Sequence, residues 1–217
     1  MSRPPVLAAA ALTLGAVAAV GVALVAATHG LTAARIAANE REALVRRLAA
    51  ILPPGIRTDA LLRDAFEARD PALLGSARTL VYRARRKGGP VALVIAPIAP
   101  DGYGGPIKLL VAVLKDGTLG GVRVVADSET PGLGDKIQAT KSDWILGFAG
   151  KSLVNPPLAK WKVKRDGGEF DQFTGATITP RAVVKAVRNT LIYVRQHRQT
   201  LYSQPSAQRA AEKKGAP

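Results

Sequence analysis

Three threonines lie close together near the carboxyl end of the sequence, in the segment from Asp171 to Pro180, which reads DQFTGATITP. They are Thr174, Thr177 and Thr179. Thr179 and Pro180 are typical of a helix start, because Thr is a good N-cap and Pro suits the first helical position. The free N–H groups at such a start favour a phosphate, and Gly175 and Ala176 leave the backbone open to a bulky partner. The residue types predict a phosphate site without choosing among the hydroxyls. An ordinary N-cap preceded by a Thr-rich loop is the alternative.

A second segment with possible chemistry is the loop from Ser128 to Lys136, SETPGLGDK, which follows a predicted strand. Glu129 and Thr130 place a carboxylate and a hydroxyl side by side, which suits hydrogen bonding to a polar ligand. The proline stiffens the loop, and its two glycines permit close approach of another group. The alternative is a Pro-Gly turn that joins a strand to a helix.

Composition excludes several kinds of cofactor site. The 217 residues contain no cysteine and two histidines, His29 and His197. Iron–sulfur clusters, covalent c-type haem and cysteine zinc sites all need thiolates, so we expect no metal site. A redox function for this chain therefore requires an organic cofactor.

The charge supports a rival hypothesis, a membrane-anchored basic module that binds anionic lipid or nucleic acid. The chain has 31 Lys and Arg against 16 Asp and Glu, a net charge of +15. However, the basic residues are scattered, no helix-turn-helix or RNP-like pattern occurs, and aromatic residues are 5% of the chain. We predict no nucleic-acid binding, and attribute the charge to solubility and to attraction toward acidic lipid heads or acidic partner subunits.

The amino-terminal region predicts a membrane anchor. Residues Val6 to Ala27 form an uncharged run, and a helix of about 22 residues spans about 33 Å, enough for a bilayer core of about 30 Å. A cleaved signal peptide is the alternative, but its apolar stretch is usually about 7–15 residues. By the positive-inside rule, the basic residues after the run favour a domain on the cytoplasmic side. Large domains, however, cross membranes largely regardless of charge, so charge alone leaves the orientation open.

The remaining pattern predicts helices around a cluster of strands, an α+β fold. Helices are expected over residues 31–52, 59–68 and 135–148, and from Thr179 onward. Strands are expected over 79–84, 91–98, 107–114 and 119–126, with a hairpin turn at 115–117 and a further strand at 161–164. The predicted organisation is a short tail (1–5), a transmembrane helix (6–27), a helical connector (28–78), a cofactor domain (79–202) and a disordered basic tail (203–217).

The two segments and the spacing between them resemble the covalent FMN-binding domain shared by two respiratory proteins. These are the G component of the Rnf electron-transport complex and the C component of the sodium-translocating NADH:quinone reductase. Further matches are the stretch from Gly102 to Ile107, the pair Asp143-Trp144 and the stretch from Gly167 to Asp171. The absence of long insertions makes the Rnf component the closer match.

This resemblance implies FMN attached to Thr177 through a phosphoester bond, made by a separate flavin transferase that uses FAD and Mg²⁺. By the same resemblance, Glu129 and Thr130 are expected near the flavin, and Leu133 and Gly134 are expected to shape its pocket. The resemblance also implies that Thr174, Gly175 and Ala176 contribute to cofactor binding. Together with Asp171 they form the attachment segment that the transferase is expected to recognise. Many relatives have His where this chain has Asp127, so no role of that histidine is carried over. Thr174 stands where Ser is commoner and keeps the hydroxyl.

The resemblance further implies an electron-carrier subunit that is not catalytic alone. It would work beside the other subunits of a complex that couples electron flow between NADH and ferredoxin to movement of Na⁺ or H⁺. The expected location is the bacterial inner membrane, single-pass, with the soluble domain on the periplasmic side. A free-standing flavin-dependent reductase is a third possibility, but the sequence offers no convincing set of acid–base groups for it.

Overall fold

The computed structural model describes residues 4–87 and 89–203, and the chain divides into two compact units between Leu44 and Val45. Helix α1 (Pro4–Ala49) forms the first unit, and its last residues belong to the second. From Ala8 on, α1 contains an 18-residue window of mean hydropathy 2.3, none of it buried. The predicted apolar helix is confirmed as long and apolar enough to cross a membrane, and the helix predicted for 31–52 is its continuation. Of the two predicted tails, residues 1–3 and 204–217 lie outside the described residues.

The second unit is built on an antiparallel sheet. Its strands are β1 (Ala65–Ala68), β2 (Thr79–Arg86), β3 (Gly89–Ile95), β4 (Ile98–Ala99), β5 (Ile107–Leu114) and β6 (Leu119–Ala126). Strand β5 is central, because β3 and β4 pair with one of its edges and β6 with the other, while β1 and β2 extend the sheet beyond β3. The predicted hairpin between β5 and β6 is present, and the Leu114 N–H donates to the Thr118 carbonyl at 2.8 Å across it. The α+β prediction is confirmed.

Both faces of the sheet are covered, which explains why its inner strands are apolar on both sides. Helix α4 (Ile178–Ser203) packs on one face, where Val183, Val187 and Leu191 join alternate residues of β5 in the main core. Short helix α2 (Thr58–Arg63) contacts β2 on the other side. There Leu48, Ile51 and Leu61 are also buried. A four-residue helix, α3 (Pro71–Leu74), contacts α4.

The helix predicted for 59–68 is wrong in its second half. Helix α2 ends at Arg63, and Ala65 to Ala68 form edge strand β1, with Phe66 and Ala68 buried. The Asp64 carbonyl accepts from the Arg83 N–H at 3.1 Å, so pairing with β2 starts at once. Long-range pairing therefore decides this segment over local helical preference.

The helix predicted for 135–148 is also wrong. Two 3₁₀ turns, Gly134–Ile137 and Trp144–Phe148, are separated by a loop. The Ser142 hydroxyl donates to the Lys136 carbonyl at 2.6 Å and accepts from the Trp144 N–H at 3.3 Å. Such local side-chain bonds compete with helical ones.

The strand predicted for 161–164 is absent. Val163 forms only an isolated bridge with Phe170, and a 3₁₀ turn follows at Lys164–Asp166. The side chains still alternate, with Trp161 and Val163 buried and the intervening lysine exposed. The alternation that predicted a strand thus reflects one buried side of an extended loop.

Candidate functional site

The first loop of the site, residues 127–134, leaves the end of β6 and turns sharply. The Asp127 carboxylate accepts from the Glu129 N–H at 3.2 Å and from Gln138 Nε2 at 2.9 Å, which ties the loop to the segment that follows it. The Leu133 N–H donates to the Thr130 carbonyl at 3.1 Å, and Gly132 has φ of +77°. Pro at the second and Gly at the third position fit a type II turn.

The second loop, residues 171–177, makes a turn of similar kind before α4. The Ala176 N–H donates to the Phe173 carbonyl at 3.1 Å, and Gly175 has φ of +81°. A glycine is favoured at this position because other side chains rarely adopt such a φ.

Aromatic side chains hold the second loop in place. Trp144 Nε1 donates to the Asp171 carbonyl at 2.8 Å, and its ring meets that of Phe173 edge-on at 5.3 Å between centroids. Just before the loop, Phe170 stacks on Phe148 at 4.8 Å. The 3₁₀ turn Trp144–Phe148 therefore positions the second loop.

A buried hydrogen bond joins the first loop to α4. Thr179 is fully buried, and its hydroxyl donates to Glu129 Oε2 at 2.6 Å. Glu129 is 7% exposed, and its Oε1 accepts from the Gly104 N–H at 3.2 Å. The carboxylate is thus held by two donors from different parts of the chain.

Gly134 allows the close approach that this bond requires. A Cβ at position 134 would lie 2.5 Å from Glu129 Oε2 and 2.9 Å from the Thr179 hydroxyl oxygen. These distances are shorter than real Cβ contacts, so any larger residue has to displace the pair.

The two loops enclose a cavity of about 350 Å³ at the amino end of α4. Seven residues singled out in the sequence line it. They are Glu129, Thr130, Leu133, Gly134, Gly175, Ala176 and Thr177. Thr179, one of the three candidate hydroxyls, also lines it, as do Tyr103 and Ile178, which were not predicted as site residues. The volume lies at the lower end of the range of about 300–1,000 Å³ for cofactor sites.

The remaining two predicted residues, Asp171 and Thr174, lie outside the cavity lining. Thr174 is exposed in the turn. Asp171 is also exposed, and its carboxylate pairs with Lys164 Nζ at 2.6 Å. The hydrogen bond from Lys164 to Asp171, together with the attraction between their charges, raises the pKa of Lys164 above its ordinary value. Both residues are available to another protein at the surface.

The three threonine hydroxyls have different surroundings. Thr174 is exposed outside the cavity, and the Thr179 hydroxyl is buried and bonded to Glu129. Thr177 is half-buried and lines the cavity. Its hydroxyl makes no hydrogen bond within the part of the chain that the structure describes. The N-cap role predicted for Thr179 is wrong, since α4 begins at Ile178 and the Thr177 carbonyl accepts from the Arg181 N–H at 3.3 Å.

The cavity is electrostatically unusual for a site that holds a phosphate. Among the described residues that line it, Glu129 is the sole acidic side chain, and none is Lys, Arg or His. The favourable element is the amino end of α4, where the N–H groups of Ile178 and Thr179 have no acceptor within the helix. Backbone dipoles, rather than a cationic side chain, would therefore face a phosphate here.

Sequence reasoning missed Tyr103 as a site residue and missed the partner of Thr179, for different reasons. Tyr103 comes from the loop before β5, and the sheet brings it to the cavity, where it is 71% exposed. It lies in the motif from Gly102 to Ile107, but nothing local assigns that motif to this cavity. Thr179 has the local pattern of a helix cap, whereas its actual partner lies 50 residues away.

Known proteins match nearly the whole chain. A family model described as FMN-binding domain matches residues 102–192, and one described as RnfG N-terminal region matches residues 6–51. A protein of Vibrio cholerae serotype O1 (strain M66-2) is 47% identical over 90% of this chain and 93% of its own length. One of Pseudomonas aeruginosa (strain UCBPP-PA14) is 50% identical over 91% and 92%. One of Vibrio atlanticus (strain LGP32) is 45% identical over 89% and 93%. All three are named as the G component of an ion-translocating oxidoreductase complex.

Proposed function

The chain belongs to the family of the G component of the ion-translocating oxidoreductase (Rnf) complex, and we propose that it relays electrons within such a complex through FMN attached covalently to Thr177. An FMN-binding domain in an electron-transport subunit follows from the family. The covalent bond, its position and the relay are the proposal. The FMN, when bound, supplies the redox chemistry, and the chain supplies position and electrostatics.

The assignment of the attachment site to Thr177 rests on the position and the hydrogen bonding of the three threonine hydroxyls. Thr177 combines a place in the cavity lining with a hydroxyl that has no hydrogen bond to the described residues. Thr179 already donates to Glu129, and Thr174 lies outside the cavity. An FMN phosphate on Thr177 would face the amino end of α4, which favours negative charge.

The charge of the cavity supports a covalent link. A phosphate is usually held by Arg or Lys, and the described lining contains neither. Its one carboxylate, Glu129, repels an anionic ligand. A phosphoester bond keeps FMN in this shallow cavity where charge alone would release it.

Formation of that bond needs an outside enzyme. A threonine hydroxyl is a poor nucleophile without a base, and the nearby Glu129 carboxylate is occupied by Thr179 and the Gly104 N–H. In the proposed reaction the Thr177 oxygen bonds to the FMN phosphorus of FAD, the pyrophosphate bond breaks and AMP leaves. A base of the flavin transferase takes the hydroxyl proton, and Mg²⁺ stabilises the charge on the phosphates.

The rim of the cavity suits electron exchange with a neighbouring protein. Tyr103, Ile178 and Leu133 are 71%, 47% and 41% exposed, so an apolar edge faces outward. Exposed apolar surface beside a site is typical of a contact region. The partners of this relay are the other subunits of the complex.

Mass spectrometry of full-length protein produced together with a flavin transferase tests the attachment. Fragmentation of the tryptic peptide 166–181, which holds all three threonines, should place FMN on Thr177. Thr177→Val should abolish the adduct, whereas Thr177→Ser and Thr179→Ser should both retain it on residue 177. FMN on residue 174 or 179, or no adduct in the wild type, would refute the proposal.

We further propose that the chain is a single-pass protein of the bacterial inner membrane with its domain on the periplasmic side. The apolar part of α1 supplies the span, and a large domain crosses the membrane largely regardless of its positive charge. A reporter fused after Tyr202 should be active outside the cytoplasm. Activity on the cytoplasmic side would refute the topology and leave the FMN proposal standing.

A further inference from the structure

Glu129 places a negative charge in the wall of a cavity that we assign to a redox cofactor. It is 7% exposed, and the described lining offers no basic side chain to neutralise it. Its two donors, the Thr179 hydroxyl and the Gly104 N–H, stabilise a carboxylate in a fixed orientation. The length and direction of these two hydrogen bonds are set by α4, which carries Thr179, and by the loop before β5, which carries Gly104.

We propose that the Glu129 carboxylate, positioned by Thr179, lowers the reduction potential of FMN bound in this cavity. The inference rests on the proposed attachment at Thr177. It assigns a potential-setting role to Glu129 and a positioning role to Thr179.

The physical reason is the charge balance of reduction. Each electron lost by the donor subunit is gained by FMN, and it adds one negative charge to the cofactor in every step that takes up no proton from solvent. A fixed negative charge nearby opposes that gain, so the reduced form is destabilised relative to the oxidised form. The consequence is a more negative potential than the same cofactor has beside a neutral side chain.

Burial makes this effect stronger than that of a surface carboxylate. At a buried site in a protein the effective dielectric constant is about 20, against about 80 for a charge in water, so a buried charge acts about four times as strongly as a solvated one. Salt screens a buried charge much less than an exposed one. The effect of Glu129 should therefore persist at high ionic strength.

The test is a spectroelectrochemical titration of the full-length flavinylated protein in detergent, after mass spectrometry has located FMN on Thr177. Glu129→Gln keeps the shape of the side chain and an acceptor oxygen but removes the charge. We expect its potential to be more positive than that of the wild type at low and high salt. A tenfold change in the equilibrium constant between oxidised and reduced FMN corresponds to about 59 mV for one electron.

The matched control is Glu67→Gln, which removes the charge of an exposed glutamate in β1, away from the cavity lining. It should leave the potential unchanged. Should Glu129→Gln fold poorly, Glu129→Met with Thr179→Val removes the same charge by replacing both members of the pair with apolar groups of similar shape. It should shift the potential in the same direction.

Two outcomes overturn the inference. One is a reduction potential equal to that of the wild type in Glu129→Gln, or in the double variant if that is the one that carries FMN on Thr177. The other is a shift of equal size in Glu67→Gln. In both cases the attachment to Thr177 stands, so failure of this inference is distinct from failure of the proposed function.

Discussion

The hydroxyl of Thr179 donates to the Glu129 carboxylate at 2.6 Å and so joins the start of α4 to a loop 50 residues earlier in the chain. Both residues are buried, at 0% and 7% exposure. The bond closes the cavity floor. It also engages the hydroxyl of Thr179, which the local sequence pattern predicts to be a helix N-cap. The segment from Asp171 to Pro180 is thus held in place by a side chain within it.

Thr179→Val should destabilise the domain by about 1.5–3 kcal/mol, because a hydrogen bond to a charged group is lost and the buried carboxylate keeps one donor. Denaturant unfolding of the full chain in detergent, followed by tryptophan fluorescence, measures this. Thr179→Ser, which retains the hydroxyl, should stay much closer to the wild type. Equal unfolding midpoints for all three proteins would contradict the importance of this bond.

Gly134→Ala should destabilise the domain by about 1–3 kcal/mol, since overpacking forces neighbours to move. The added Cβ would meet Glu129 Oε2 at 2.5 Å. Gly147→Ala is the matched control, because a Cβ at Gly147 has nothing within 4 Å. Thermal unfolding of both variants gives the comparison, and a Gly134→Ala protein as stable as Gly147→Ala would show that the pair tolerates displacement.

Trp144→Phe should slow attachment of FMN while leaving the sheet intact. The change removes the indole N–H that donates to the Asp171 carbonyl at 2.8 Å, although an aromatic ring still faces Phe173. A lost hydrogen bond of this kind costs about 0.5–1.5 kcal/mol, enough to loosen the segment. The rate of FMN incorporation by purified transferase measures the effect. An unchanged rate would mean that Phe173 packing alone positions the segment.

Acid should weaken the contact between the 3₁₀ turn Lys164–Asp166 and α4. Arg181 donates to both oxygens of Asp166, at 2.7 and 2.8 Å, and the hydrogen bond lowers the pKa of that carboxyl. A pKa that is lower in the folded state contributes stability above the unfolded value, about 3.9, and this stability is lost as the pH falls through the folded value.

The variant Asp166→Asn tests this pH dependence. At pH 6 it should unfold at a slightly lower temperature than the wild type, and the difference should shrink and then vanish as the pH falls through the lowered pKa of Asp166. Because the pair is exposed, the difference is small and should shrink with added salt. If the difference in unfolding temperature between the two proteins were independent of pH, the effect of the substitution would come from packing and not from the charge of Asp166.

Much of the scaffold could be predicted from local pattern. Strands β5 and β6 begin and end where their apolar, β-branched runs do, and the Pro-Gly turn in the first loop follows from residue type. The apolar run at the amino end predicted the long helix. The family emerged from short motifs, and the structure brings some of their residues to one cavity, although their roles there stay predictions.

The errors share one cause. Residues 65–68 became an edge strand because β2 offered them partners, and residues 138–143 left the helical path because Ser142 bonded the nearby backbone. In each case other hydrogen bonds replaced the helical ones that the local pattern predicted. For β1 those bonds come from β2, which lies later in the chain.

The sequence by itself determined the membrane-length helix, the absence of cysteine ligands and the three threonines that compete for a phosphate. The family resemblance pointed to Thr177, but only the tertiary structure showed how the surroundings of those threonines differ. It buried Thr179 against Glu129, left Thr174 outside the cavity and placed Thr177 within it. The physical reason is that a hydroxyl's availability depends on its bonded partner and its burial. For Thr179 both come from a loop 50 residues away, whose position the whole sheet decides.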